Sequence, residues 1–64
     1  MKSFKATIHY AHPCKLGGIQ SNAQSFIVYT TDEDKAYELA TVHGVDDPGY
    51  LYTIMVDIEQ AFLY

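Results

Sequence analysis

Three residues near the start of the chain, His9, His12 and Cys14, stand in a His-x-x-His-x-Cys spacing, and His43 supplies a further imidazole. Zinc accepts imidazole and thiolate ligands in tetrahedral geometry, and a cysteine beside a histidine is also the pairing that activates a thiol nucleophile. The spacing matches no established zinc pattern, however, and Cys14 has no recognisable nucleophile motif around it. A second element of candidate chemistry is Lys15-Leu16-Gly17-Gly18, whose backbone N–H groups could cradle a phosphate. No helix pattern follows these glycines, so a flexible turn is the simpler reading. The expectation is therefore no metal, no cofactor and no catalytic site.

The acidic residues are the other group that could act. Asp32, Glu33 and Asp34 form one run and Asp46-Asp47 another, with Glu38, Asp57 and Glu59 further along. Local duties account for the two runs, one as a helix start and one as a turn. Glu38, Asp57 and Glu59 have no such duty. Together with Asp32, Glu33 and Asp34 they make a candidate acidic strip for a basic protein surface.

Charge along the chain sharpens this reading. Residues 1–31 hold Lys2, Lys5 and Lys15 and no acid, a charge of +3; residues 32–64 hold eight acids against Lys35, a charge of −7; the sum is the net −4 of the whole. Arginine is absent. Nucleic-acid binding usually draws on a basic stripe with arginine to grip phosphates and bases, so direct contact with DNA or RNA is not expected. A protein partner is.

The elements that must position these groups follow from periodicity. Residues 3–11 alternate, with Phe4, Ala6, Ile8 and Tyr10 on one face and Lys5, Thr7 and His9 on the other, which predicts a half-buried strand. Residues 12–24 carry Pro13, Gly17, Gly18, Ser21 and Asn22 without a sustained period and read as a long loop. Residues 25–31 are β-branched and aromatic and predict a second strand.

A helix over about 32–43 comes next, with Thr30 and Glu33 as a capping box or Thr31 as the cap. Its buried stripe is Ala36, Leu39, Ala40 and His43, and Gly44 ends it. Asp46-Asp47-Pro48-Gly49 reads as a turn in which Gly49 takes positive φ. A third strand over 50–59 puts Tyr52, Ile54, Val56 and Ile58 on one face and Leu51, Thr53, Met55 and Asp57 on the other. The residues Phe62 to Tyr64 are too apolar for a solvated end.

Strand, strand, helix, strand is a single α+β domain spanning 1–64, a two-layer ββαβ arrangement with a small three-stranded sheet and one helix on one face. Strand order is left open by the pattern. Sixty-four residues bury only about 60% of the surface of the unfolded chain, and one such core supplies about 3–5 kcal/mol. With Cys14 the only cysteine, no disulfide makes up the difference. Self-association, a homo-oligomer, is one remedy. The uncovered sheet face is the place to look for it, with Ile27, Tyr29, Leu51 and Met55 expected to form a contiguous apolar patch. No apolar run approaches a membrane span and the N-terminus lacks a signal-peptide core, so a cytoplasmic protein without a membrane role is expected.

Three stretches of the chain, Phe4 to Ile8, Ser25 to Ala40 and Pro48 to Tyr50, follow a strand, strand-cap-helix and strand-entry pattern. In this the chain resembles a group of very small bacteriophage proteins that disable host machinery, short inhibitors of bacterial RNA polymerase among them. The resemblance covers about two-thirds of the chain at the level of pattern. It implies a non-enzymatic inhibitor that docks an acidic surface on a host protein, in the host cytoplasm. Those inhibitors use arginines in their last strand, whereas Tyr52 to Ile58 contains no basic residue. The residues expected to carry binding here are Asp32, Glu33, Asp34, Glu38, Asp57 and Glu59 for charge, with Tyr29, Leu51 and Met55 as apolar anchors.

Overall fold

A computed structural model describes residues 1–61. Strand β1 spans Lys2–Pro13, β2 Ile19–Thr30, helix α1 Glu33–His43 and β3 Tyr52–Ala61. The sheet order is β2-β1-β3, with both neighbours antiparallel to the central β1. This is the expected ββαβ domain, and the open question of strand order is answered: α1 carries the chain from one edge of the sheet across β1 to the other edge.

The alternation of β1 sets the core. Phe4, Ala6, Ile8, Tyr10 and Ala11 are buried, as are Ala36 and Ala40 of the helix. Val28, Phe26 and Gln24 of β2 stand opposite Phe4, Ala6 and Ile8, and Ile58 and Val56 of β3 stand opposite Ala6 and Ile8. Alanine at 6, 36 and 40 lets the helix lie close on the central strand, because a methyl is the only side chain either layer must accommodate there.

The expected helix stripe narrows to Ala36 and Ala40, with Leu39 and His43 exposed because the sheet is too narrow to cover them, and three further sequence expectations are corrected. The 12–24 loop is mostly strand: the register with β1 continues without a break to Pro13↔Ile19, leaving only residues 14–18 as a turn. There Gly17 donates to the Cys14 carbonyl at 3.0 Å and Cys14 donates to the Gly18 carbonyl at 3.1 Å. Gly17 and Gly18 both take positive φ, 99° and 77°, a geometry that favours glycine. Residues 19–24 show no apolar alternation because the positions that turn toward the helix side here, Asn22 and Gln24, are polar and only half-buried, while Ser21 and Ala23 are exposed.

The helix cap is Asp32 rather than Thr30 or Thr31. The Asp32 carboxylate accepts from the Lys35 N–H at 2.8 Å, while Thr30 is buried as the last residue of β2. Gly44 ends the helix as expected, with φ 72° and its N–H on the Ala40 carbonyl. Asp32→Ala should lower stability by about 1 kcal/mol in a urea melt, the usual cost of losing an N-cap. Thr31→Ala, by contrast, should leave the midpoint unchanged.

The third correction concerns β3, whose register shifts between His9 and Tyr10: His9 faces Met55, but Tyr10 faces Thr53. Ile54 is thus an extra residue, a β-bulge that reverses which side chains face the helix. Thr53 moves to the helix side, and Tyr52 moves to the open side opposite Ala11. Simple alternation along the sequence places both on the wrong face.

Candidate functional site

The acidic residues do not form one strip. Asp32, Glu33, Asp34 and Glu38 belong to the helix layer, where Asp32 is occupied as the cap and Glu38 lies 3.6 Å from Lys35. Asp57 and Glu59 lie on the opposite, open face of the sheet. Asp57 pairs with His9 at 3.1 Å, and Glu59 stands opposite Lys5 in the register. Asp57 is thus engaged by His9 and Glu59 has Lys5 as its cross-strand neighbour, which leaves the helix start as the larger acidic group.

The apolar anchors are also dispersed. Tyr29 and Ile27 sit on β2 opposite Ser3 and Lys5, whereas Met55 sits on β3 opposite His9, two rows further along the sheet. Between them runs a polar band in which Thr7 and Ser25 share a hydrogen bond of 3.0 Å and His9 meets Asp57. Leu51 precedes β3 and anchors it to the central strand by donating its N–H to the Ala11 carbonyl at 3.0 Å. The contiguous patch expected of Ile27, Tyr29, Leu51 and Met55 is thus two separate corners. Tyr29 precedes Asp32 by three residues but shares the open face with Ile27, whereas the acidic helix start belongs to the other layer.

The histidines and Cys14 occupy separate places too. His43 stacks on Phe26 with ring centroids 4.2 Å apart, His9 is on the open face, and Cys14 is in the hairpin turn. Among the described residues no three His, Cys, Asp or Glu side chains converge as a metal-binding group. No described helix is long and apolar enough to cross a membrane.

What sequence reading misses is the junction between the hairpin and the segment joining α1 to β3. The buried Tyr10 donates its hydroxyl to Asp47, and the other Asp47 oxygen accepts the Gly49 N–H at 2.8 Å. That same oxygen lies 3.7 Å from His12 Nε2. The Tyr50 N–H closes the turn on the Asp47 carbonyl, and the Tyr10 and Tyr50 rings pack at 5.7 Å. Gly49 does not have positive φ; its missing Cβ is what lets the His12 ring lie against the turn, since a Cβ there would displace that ring. The hydrogen bond to Asp47, reinforced by burial and by the carboxylate charge, raises the Tyr10 phenol above its ordinary value. The same bond, the Gly49 N–H and the charge of His12 hold the Asp47 carboxyl below its own. Two signals in the sequence point here: a core-facing tyrosine needs a partner for its hydroxyl, and Asp-Pro-Gly is an Asx-turn pattern.

This junction forms one wall of a groove of about 530 Å³ between α1 and β3, lined by Ile8, Tyr37, Thr41, Val45, Thr53 and Val56 together with Gly44 and Tyr50. The Tyr50 hydroxyl and Thr53 Oγ1 are 2.7 Å apart across it. Its size suits a small ligand, and its walls carry no charged side chain. No known protein family, curated protein or solved structure matches the chain.

Proposed function

We propose that the chain is a small non-enzymatic binding protein that occludes a basic surface on a host protein, in the manner of a phage-encoded inhibitor acting in the host cytoplasm. One observation carries the reading: the apolar side chains are mostly outside. Of the seven buried apolar residues among those described, four are alanine, while Leu16, Ile19, Ile27, Tyr29, Leu39, Val42, Leu51, Tyr52, Ile54 and Met55 are all exposed. A domain this small with more large apolar groups on its surface than in its core is suited to burying them against another molecule. Asp32, Glu33, Asp34 and Glu38 supply electrostatic steering from the helix layer, and Tyr29 supplies an aromatic anchor on the open face, at the strand end that leads into the helix.

The test is affinity capture from bacterial lysate. The wild-type chain should retain a stoichiometric partner that salt releases, and a Glu33→Gln, Asp34→Asn double variant should retain markedly less. Glu33 and Asp34 are chosen because neither has a structural partner in the cap. Recovery of no partner, or equal recovery by the neutralised variant, would overturn the proposal.

A second reading, a small-ligand or nucleotide-binding oligomer, draws on the groove rather than on residues 12–24, which are strand and turn. The uncharged lining favours a neutral ligand over a phosphate.

A further inference from the structure

The two sheet edges are not equivalent. Edge strands expose unpaired backbone donors and acceptors, and soluble proteins blunt them with charge, proline or bulges. The β3 edge has such protection, since it is bulged at Ile54 and carries Asp57 and Glu59. The β2 edge has none. Its twelve residues, Ile19 to Thr30, contain no charged residue, no proline and no glycine, and their register with β1 is unbroken.

The backbone pattern shows which groups are free. Cys14 donates to Gly18 across the hairpin, so antiparallel alternation directs the even residues of β1 and β2 at each other. The odd residues of β1 then face β3, as the Leu51 to Ala11 bond requires. It follows that Ser21, Ala23, Ser25, Ile27 and Tyr29 direct their N–H and C=O groups away from the sheet. Among the described residues no hydrogen bond beyond the sheet ladder meets those groups.

The helix layer offers an independent second observation. Ala36 and Ala40 face the sheet, and Tyr37 and Thr41 line the groove beside β3. With about 100° per residue, Leu39 falls on the opposite flank, toward β2, and Val42 lies above it on that side, turned away from the sheet. His43, one turn beyond Leu39, stacks on Phe26 of β2 and fixes that orientation. Val42 is 80% exposed and Leu39 36%. An unprotected strand edge and an apolar helix flank therefore lie on the same side of the molecule.

We infer that a second copy of this chain docks here, β2 pairing antiparallel with its symmetry mate to form a six-stranded sheet, with Leu39 and Val42 of the two helices closing the seam above it. The charge distribution supports a second copy. In a chain of net −4, β2 is the one edge without an acid, so two identical subunits meet there with the least repulsion. A two-fold contact of this kind uses the same patch on both subunits and stops at the dimer. The open sheet face stays uncovered and is doubled in extent, so the inference neither needs nor blocks a host partner.

Light scattering and sedimentation of the purified chain test it. The expected mass is twice the 7.2 kDa of one chain. Ala23→Lys and Val42→Lys, which place like charges against each other at the strand edge and the helix seam, should each weaken the dimer roughly a hundredfold. Met55→Lys, on the β3 side of the open face, should leave the mass unchanged, and circular dichroism verifies that each variant is folded. Cys14 is the sole cysteine and lies far from the seam, so spin labels there should report a separation of about 45 Å, set by the strand rise to the two-fold axis. A 7.2 kDa wild type, an open-ended aggregate, a dimer indifferent to both lysines, or labels in close contact would each overturn the inference.

Discussion

Ile8→Ala should unfold the protein. Ile8 is 2% exposed and is the largest fully buried side chain of the core. It stands at the centre of the sheet between Gln24 and Val56. Removing it costs about 2–5 kcal/mol, as large-to-small core changes do. A core of this size supplies only about 3–5 kcal/mol in all. Most neighbours that might close on the cavity are fixed by the strand ladders or are already alanine, so relaxation recovers little. Far-UV circular dichroism should show loss of the cooperative transition at room temperature. Ile8→Val, which removes one methylene and costs about 0.5–1.5 kcal/mol, should stay folded with a lower midpoint. An alanine variant that melted like the wild type would mean that stability resides elsewhere, with the subunit seam the first place to look.

The second large effect should come from Asp47, through pH as well as through mutation. Its carboxyl is held below the ordinary 3.8, so its contribution is fully present above that value and is lost as pH falls through the folded value. The Tyr10 phenol is raised above its ordinary 10.0, so its contribution is present below 10.0 and is lost as pH rises through the folded value. Stability should therefore be flat across neutral pH and decline at both extremes. Asp47→Ala removes the acceptor of Tyr10 and of the Gly49 N–H together. It should lower the melting temperature at neutral pH and flatten the acid decline relative to wild type. The alkaline decline should shrink as well, because without the carboxylate the folded phenol returns toward its ordinary value and differs little from the unfolded chain. Amide exchange at Tyr50 and Leu51, whose N–H groups bond Asp47 and Ala11, should accelerate as the junction loosens. Tyr10→Phe should reproduce the loss of the alkaline decline while retaining the Gly49 turn. An Asp47→Ala profile parallel to wild type at every pH would show that the contact has no energetic consequence.

These two residues mark how far the sequence could be read. Ile8 belongs to an uninterrupted alternation, so its burial was evident from spacing alone. Asp47 sits in a run that reads equally well as a solvated turn, and nothing within that run shows that Tyr10, 37 residues earlier, ends beneath it. Local codes carry information about neighbours in the chain; a contact across the sheet depends on which strand lies beside which. The same distinction separates the two halves of the expected binding surface. Residues 32–34 were correctly placed at a helix start, but their relation to Asp57 and Glu59 required knowing that the helix and the open face are opposite layers.

The amino-acid sequence by itself determined that this is one small α+β unit with a patterned central strand, an acid-rich helix start and too little core for its size. Those features depend on period, composition and length. Only the tertiary structure decided that β3 lies beside β1, that Ile54 bulges and exchanges the faces of Tyr52 and Thr53, and that the presumed loop is a strand with a bare edge. One inserted residue reverses every side chain beyond it, and a strand held by pairing alone needs no apolar alternation. The structure thus places the unprotected edge of the sheet at β2, beside the exposed Leu39 flank of the helix.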